Sequence, residues 1–225
     1  MDVKHYYDLI NGQFNEKFSK LYDMLIEYNN RCNITAITQR EDVFLKHFLD
    51  SAVGESYFSY GADVCEVGSG GGFPSLPLKI LRDDLKFTLI ESTAKKCIYL
   101  QSVVDNFNFS DVRVLNIRAE DGARDKLLRE CFDFVTARAV ARLNTLCEYC
   151  LPFIKVGGKF VAYKGECDEE LKEAENAISV LGGELEAHDK FEIYGQKRSL
   201  IIIKKVRRTP EKYPRGRGLE RKRPL

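Results

Sequence analysis

The spacing of apolar residues changes near residue 61, and the two parts of the chain predict different structures. In the first 60 residues, apolar side chains recur every three or four positions, which places them on one face of a helix. The clearest run is Phe14, Phe18, Leu21, Leu25 and Tyr28. Residues 38–41, Thr-Gln-Arg-Glu, have the sequence of a capping box and predict a second helix through Ala52. Residues 1–60 are therefore expected to form an N-terminal helical extension.

After residue 61, short apolar runs alternate with stretches that have helical spacing. Strands are predicted over residues 62–67, 87–91, 112–117, 132–137 and 159–163. Helices are predicted over 74–81, 93–106, 121–130, 144–152 and 168–181. Strands and helices that alternate in this way form a parallel sheet with helices on both faces.

Two further strands, 184–193 and 199–206, follow each other with too little chain between them for a helix. Strands joined this directly pair antiparallel, so the sheet should end in a hairpin at one edge. The expected fold is therefore α/β: a seven-stranded, doubly wound, Rossmann-like sheet of the kind found in S-adenosylmethionine-dependent methyltransferases. This domain is predicted to span residues 61–206.

The turn after the first strand is rich in glycine and reads Glu-Val-Gly-Ser-Gly-Gly-Gly-Phe over residues 66–73. A dinucleotide site requires Gly-x-Gly-x-x-Gly, and that spacing fails from both Gly68 and Gly70. The spacing that fits is acidic-x-Gly-x-Gly-x-Gly, starting at Glu66, which S-adenosylmethionine enzymes use. S-adenosylmethionine is therefore the expected cofactor, and its methionine part is expected to pass close to Gly68 and Gly70.

Two acidic positions at later strand ends complete the predicted cofactor site. Glu91 ends the second strand, 25 positions after Glu66, where a carboxylate can accept hydrogen bonds from both ribose hydroxyls. Its alternative interpretation is an ordinary exposed acid at a strand end. Ala119 and Glu120 follow the third strand, where a backbone N–H and an acidic side chain can contact the edge of the adenine.

The fourth strand carries the clues to the methyl acceptor. Residues 132–139 lack the Asp/Asn-Pro-Pro-aromatic motif of amino methyltransferases, and the chain has no Pro-Cys pair of the kind that cytosine-C5 enzymes use. Methylation of guanine N7 requires neither of these motifs, because N7 carries a free lone pair and no proton. Catalysis then consists of alignment and exclusion of water.

Two cations stand at strand ends as candidate catalytic residues. Arg138 ends the fourth strand and can donate hydrogen bonds to the cofactor carboxylate or to guanine. Lys164 ends the fifth strand and can meet a phosphate. Each of them is equally well explained as an ordinary surface cation.

The composition is that of a soluble globular protein, with 44% hydrophobic and 31% charged residues. The sequence has no apolar run that could cross a membrane and no secretory signal at its start, so a cytoplasmic protein is expected. The seven cysteines are scattered, and the single Cys-x-x-Cys pair, Cys147 and Cys150, has no second pair or nearby histidine. They are interpreted as small core residues, and no metal is expected.

The net charge of +1 hides a basic tail. Residues 204–225 contain ten lysines and arginines against two glutamates, so the rest of the chain is acidic. A tail of this kind, taken here as residues 207–225, suits contact with a phosphate backbone. The alternative is a solvated, disordered end.

Several segments together resemble the ribosomal RNA small subunit methyltransferase G family, also called glucose-inhibited division protein B. They run in order along nearly the whole chain. The segments are 33–37, 47–51, 66–78 with its Gly-Phe-Pro run, Glu91 with 95–96, 118–120, 136–139, 163–165 and 210–215 with its Lys-Tyr-Pro-Arg run. The chain departs from the family pattern at Glu66, where Asp is frequent, and at Ser75, where Gly is common.

The resemblance implies methylation of guanine N7 at nucleotide 527 in the helix 18 loop of 16S rRNA. The partner would then be 16S rRNA or the 30S subunit, and the protein is expected to act as a monomer. By the same resemblance Gly68, Phe73, Ala119, Glu120 and Arg138 would contact the cofactor. The other functions left open are a small-molecule methyltransferase and a noncatalytic RNA-binding domain of the same fold.

His47 and Asp50 lie three positions apart and so share one helix face. The family resemblance suggests that they line the RNA side of the cleft. The alternative is a buried, hydrogen-bonded pair that packs the helix. His47 is not expected to act as a base, because N7 has no proton to remove.

Overall fold

The computed structural model describes residues 2–225, and a seven-stranded sheet lies at its centre. The strands are β1 Asp63–Val67, β2 Lys86–Glu91, β3 Val112–Asn116, β4 Phe132–Arg138, β5 Ile154–Lys164, β6 Gly183–Ile193 and β7 Gln196–Lys205. Their spatial order is β3-β2-β1-β4-β5-β7-β6. Strands β1 to β5 are parallel, and β7 runs antiparallel to both β5 and β6. The predicted α/β class, strand number and edge hairpin are confirmed.

The helices that connect the strands cover both faces of the sheet. They are α5 Ser75–Leu81, α6 Ala94–Phe107, α7 Ala119–Gly122, α8 Leu143–Cys150 and α9 Asp168–Val180, and α10 Leu219–Lys222 follows the last strand. One prediction was wrong: the helix expected over 121–130 is the single turn α7. Side chains compete with the helical pattern there, since Asp125 accepts from the backbone N–H of Leu127 and Arg129 donates to the carbonyl of Ala123.

The N-terminal part contains α1 Val3–Asn11, α2 Asn15–Cys32, α3 Arg40–Val43, a π-helical segment Phe44–Leu49 and α4 Asp50–Ala52. The predicted apolar face of α2 is confirmed, because Phe18, Leu21 and Leu25 are fully buried. The expected capping box does not form within the described residues. Helix α3 starts one position later, with Gln39 as its N-cap, so Glu41 stands at the wrong position to complete the box.

Two hydrophobic clusters lie on opposite faces of the sheet. One joins the N-terminal helices to the sheet, since it contains both Phe18 of α2 and Leu89 of β2. The other packs α8 and α9 on the second face and includes the buried Cys147 and Cys150. The interpretation of the cysteines as core residues was wrong for Cys131, which is exposed, and Cys32 is only partly buried. The N-terminal helices therefore share a core with the sheet.

The chain after β7 packs against α8 and against the segment between α7 and β4, and it ends beyond α10. Tyr213 packs into the second hydrophobic cluster, and Glu220 is fully buried. The basic tail is thus folded against the domain. Within residues 2–225, no helix is both long and apolar enough to cross a membrane.

The contact between Gly54 and Tyr163 tests how firmly the N-terminal helices are fixed to β5. The Tyr163 hydroxyl donates to the carbonyl of Ser51 over 2.9 Å, and a Cβ at position 54 would overlap that hydroxyl. We expect Gly54→Ala to lower the free energy of unfolding by about 1–3 kcal/mol, measured by chemical denaturation. Gly165→Ala is the control, because its Cβ would meet only a carbonyl oxygen at 3.9 Å. Equal stability of the two variants would contradict the close packing.

Candidate functional site

The carboxyl ends of the parallel strands surround a cleft where the strand order reverses. Strand β1 lies between β2 and β4, so the connections from β1 and β4 leave to opposite sides. The cleft there has a volume of about 660 Å³. Its walls come from the ends of β1 and β2, from α7, from α8 and from the C-terminal tail. The lining residues are Val67, Gly68, Ile90, Ser92, Ile117, Arg118, Ala119, Glu120, Asp121, Arg124, Val140, Tyr149, Gly216, Arg217, Gly218 and Arg221.

The glycine turn after β1 uses conformations that other residues rarely adopt. Gly68, Gly70 and Gly72 have φ values of 70°, 54° and 81°. A Cβ on Gly68 would lie 2.7 Å from Val140, whereas one on Gly70 would have only a carbonyl oxygen at 3.8 Å. The turn is therefore closely packed at Gly68 and open at Gly70. It leaves room for a ligand to approach the backbone.

Glu91 ties the glycine turn to the end of β2. Its carboxylate is 6% exposed and accepts hydrogen bonds from the backbone N–H groups of Gly70, at 2.9 Å, and Thr93, at 2.7 Å. One bond goes to each carboxylate oxygen, so each oxygen retains capacity for a further donor. Two hydroxyls on neighbouring carbons, as in a ribose, match that capacity. The residues present therefore fit the sugar of S-adenosylmethionine.

Glu66 lies below the turn and is 1% exposed. One carboxyl oxygen accepts from the backbone N–H of Ser75 at 3.3 Å, and the other has no partner among the described residues. Burial raises the pKa of Glu66 to about 8, and the nearby Arg138 opposes that rise only in part. The acid that opens the glycine motif is therefore largely protonated at neutral pH.

Arg138 stands at the end of β4, as its place in the sequence predicted, and is held by the N-terminal helices. Its guanidinium donates to a carboxylate oxygen of Asp50 at 2.8 Å, and lies 3.1 Å from Nδ1 of His47. It also lies over the ring of Phe73. The other oxygen of Asp50 accepts from Arg198 at 2.9 Å, so one carboxylate bridges two arginines.

His47 is stacked on Phe73, with ring centroids 4.6 Å apart and an interplanar angle of 15°. Its Nε2 lies 2.9 Å from the hydroxyl of Thr35. Burial, aided by the positive charge of Arg138, lowers the pKa of His47 to about 3. The ring is therefore neutral, and both of its nitrogens have partners. The side chains of His47 and Asp50 are not bonded to each other, but both contact the guanidinium of Arg138.

Lys164 is engaged by the protein in this structure. Its ammonium donates to the carbonyl of Ala141 at 2.8 Å and to the carboxylate of Glu170 at 2.7 Å. These bonds fix the loop that follows β4, beside the cleft. Of the predicted site residues, three line the cleft: Gly68, Ala119 and Glu120. The others are not part of its lining: Gly70, Phe73, Glu91, Arg138 and Lys164.

Sequence reasoning missed two groups of residues at this site. Arg198, in the hairpin between β6 and β7, joins the cluster through Asp50. The tail supplies Gly216, Arg217, Gly218 and Arg221 to the cleft wall. The charge of the tail was visible in the sequence, but nothing in its composition indicated that it would return to the carboxyl ends of the strands.

Comparison with known proteins places these features in a family context. A family model described as rRNA small subunit methyltransferase G matches residues 14–201. The ribosomal RNA small subunit methyltransferase G of Lactobacillus acidophilus is 44% identical over 230 residues, covering 99% of this chain and 95% of that protein. The protein of the same name from Geobacillus sp. (strain WCH70) is 43% identical, covering 96% and 93%.

Among solved structures, a SAM dependent methyltransferase from Aquifex aeolicus is similar with a TM-score of 0.57 and 17% identity, covering 76% of this chain and 96% of that one. M. jannaschii TYW2 in complex with AdoMet has a TM-score of 0.57 and 15% identity, covering 71% and 76%. At these identities the likeness shows the fold alone.

The burial of Glu66 predicts a pH dependence of stability. Between pH 4.5, the usual pKa of the group, and about 8, the folded state keeps a proton that the unfolded chain has released. The free energy of unfolding therefore falls as pH rises through this window, by at most about 1.4 kcal/mol per pH unit from this group. Glu66→Gln should remove this slope, so the variant should gain stability relative to the wild type between pH 5 and 8.

Denaturant unfolding at pH 5, 6.5 and 8 measures this difference. Glu184→Gln is the control, because Glu184 is exposed on β6. Titration of His47 is common to all three proteins and cancels in the comparison. Parallel pH profiles for Glu66→Gln and the wild type would mean that Glu66 is ionised in the folded state.

Proposed function

Because the chain belongs to the rRNA small subunit methyltransferase G family, we propose that it transfers the methyl group of S-adenosylmethionine to N7 of a guanine in 16S rRNA. The proposed target is nucleotide 527 in the helix 18 loop, and the proposed partner is the 30S subunit, on which the protein acts as a monomer. The family model runs from the start of α2 into β7, so the assignment rests on most of the chain and not on the glycine turn alone.

The proposed cofactor site follows the cleft at the ends of β1, β2 and β3. Glu91 would accept hydrogen bonds from the ribose hydroxyls, and Gly68 and Gly70 would face the methionine part. Ala119 and Glu120 would meet the adenine. When bound, the cofactor supplies an electrophilic methyl group on its sulfonium.

The observation that carries the choice of N7 is the state of the side chains at the end of β4. His47 is neutral, both of its nitrogens have partners, and its pKa lies near 3. A ring in that state is a poor proton acceptor. N7 of guanine needs none, because its lone pair is free and it carries no proton. A site that aligns atoms without a general base therefore suits this acceptor.

Arg138 and Lys164 are the proposed positioning cations. Arg138 has five N–H donors, and its bonds use only Nη1 and Nη2, to Asp50, to the His47 ring and to the backbone carbonyls of Lys46 and His47. Donors therefore remain for the cofactor carboxylate or for guanine oxygen. Lys164 uses two of its three donors on Ala141 and Glu170, which leaves one for a phosphate. Both cations are held in place by the protein, so little further conformational entropy is lost when they align the substrate.

The cofactor assignment is tested by Glu91→Gln. The substitution keeps the size of the side chain but turns one acceptor oxygen into a donor, so one ribose hydroxyl loses its acceptor. We expect the Kd for S-adenosylmethionine, measured by calorimetry, to rise by about 5- to 150-fold, which corresponds to about 1–3 kcal/mol. Glu184→Gln, an equivalent change on exposed β6, should leave the Kd unchanged. Unchanged binding in Glu91→Gln would remove Glu91 from the cofactor site.

The acceptor assignment is tested by mapping the product. Unmodified 30S subunits are incubated with the protein and cofactor labelled in its methyl group, and cleavage specific for 7-methylguanine locates the label. We expect one methyl group per subunit, at nucleotide 527. Subunits already methylated at that position are the control and should take up no label. Label at another nucleotide, or on another atom of guanine, would overturn the proposal.

A further inference from the structure

The C-terminal tail forms one wall of the cleft at the carboxyl ends of the strands. Gly216, Arg217, Gly218 and Arg221 line this wall. The cleft is also lined by Ala119 and Glu120 at the start of α7 and by Tyr149 of α8, over whose ring Arg221 lies. Without the tail, the cleft would be open on this side.

A buried ion pair fastens the tail beside the cleft. The carboxylate of Glu148 in α8 is 1% exposed and meets Arg215. It accepts from the backbone N–H of Arg215 at 2.7 Å, from Nε at 3.0 Å and from Nη2 at 2.7 Å. Undocking of the tail would break all of these bonds and separate the Glu148 carboxylate from its charged partner, which is costly. The pair therefore holds Arg215, and the wall next to it, at a fixed place.

Two further arginines hold the backbone of the tail. Arg129 donates to the carbonyls of Thr209 and Tyr213, each at 2.9 Å, and Arg124 donates to the carbonyl of Pro214 at 2.6 Å. Arg124 itself lines the cleft. The turn that enters the cleft is closed by buried Glu220, which accepts from the backbone N–H of Gly216. A charged, hydrogen-bonded segment therefore forms the wall.

We propose that residues 214–223 are part of the cofactor site, and that cofactor binds only while the Arg215–Glu148 pair holds this segment docked. The inference rests on the proposed function, because it assigns the occupant of the cleft. Docking and binding are then linked: the cofactor shifts the tail toward its docked state, and anything that loosens the tail weakens cofactor binding. The proposal assigns the basic side chains of this segment to the wall of the cleft, in addition to any contact with RNA.

The first experiment uses the wild-type protein. Hydrogen–deuterium exchange of residues 214–223 is followed with and without S-adenosylhomocysteine, the product form of the cofactor, at 100 times its Kd. Exchange through the undocked state should slow by up to about 100-fold. Helix α9, Asp168–Val180, does not line the cleft and is the internal reference. Equal exchange of residues 214–223 in the two samples would overturn the proposal.

The second experiment compares Arg215→Gln with Arg82→Gln by calorimetry with S-adenosylhomocysteine. Both arginines pair with carboxylates, and their side chains are similarly exposed, 23% for Arg215 and 20% for Arg82. Arg82 lies just before β2, at the opposite end of the strands from the cleft. We expect the Kd to rise about 10-fold or more in Arg215→Gln and to stay within twofold of wild type in Arg82→Gln.

The outcomes separate this inference from the proposed function. Failure of the wild-type protein to bind S-adenosylhomocysteine would overturn both. Normal binding by the wild type together with unchanged Kd in Arg215→Gln would overturn the inference alone. If that variant also methylated 30S subunits more slowly, the tail would be assigned to RNA contact instead. Should Arg215→Gln not fold, the exchange experiment on the wild type still decides the question.

Discussion

The structure depends on one local constraint: the chain must turn sharply after β1 while staying bonded to β2. The backbone N–H groups of Gly68 and Ser69 both donate to the carbonyl of Ile90, and Gly70 donates to Glu91. Three glycines at positive φ make this path possible. Because β1 lies where the strand order reverses, the same turn opens the cleft. Ligand access and chain geometry are thus set by the same hydrogen bonds.

Buried charge then fixes the parts of the chain outside the sheet to the rim of that cleft. Asp50 is 7% exposed and binds Arg138 and Arg198, which joins the N-terminal helices to β4 and to the β6–β7 hairpin. Glu148 does the same for the tail through Arg215. Each carboxylate pairs with arginine, whose planar fork suits two-point contact. Both ends of the sequence therefore meet the site through a buried acid, and neither is a loose appendage.

The sequence predicted the elements well where the signal was periodic and local. The strand alternation, the edge hairpin and the apolar face of α2 follow from spacing, and Glu91 and Arg138 follow from strand ends. It predicted poorly where side chains compete with the backbone, as at Asp125, and where the partner is distant along the chain. The Arg215–Glu148 pair spans 67 positions and the Arg198–Asp50 pair 148. Pairings of this kind depend on the packed fold, so no local sequence pattern predicts them. The functional roles of all the predicted site residues remain predictions: Gly68, Gly70, Phe73, Glu91, Ala119, Glu120, Arg138 and Lys164.

The electrostatics around the cleft fit an acceptor that needs no proton removed. Two titratable groups close to Arg138 are held neutral by burial: Glu66, with a pKa near 8, and His47, with a pKa near 3. Burial is the largest cause of both shifts: it raises the pKa of the acid and lowers the pKa of the base. The charges beside these two groups are paired, since the carboxylate of Asp50 binds both Arg138 and Arg198. Neither group is placed to act as a general base, because Glu66 is buried beneath the glycine turn and both nitrogens of His47 have partners. Here orientation by fixed hydrogen bonds is the chemistry that the residues can supply.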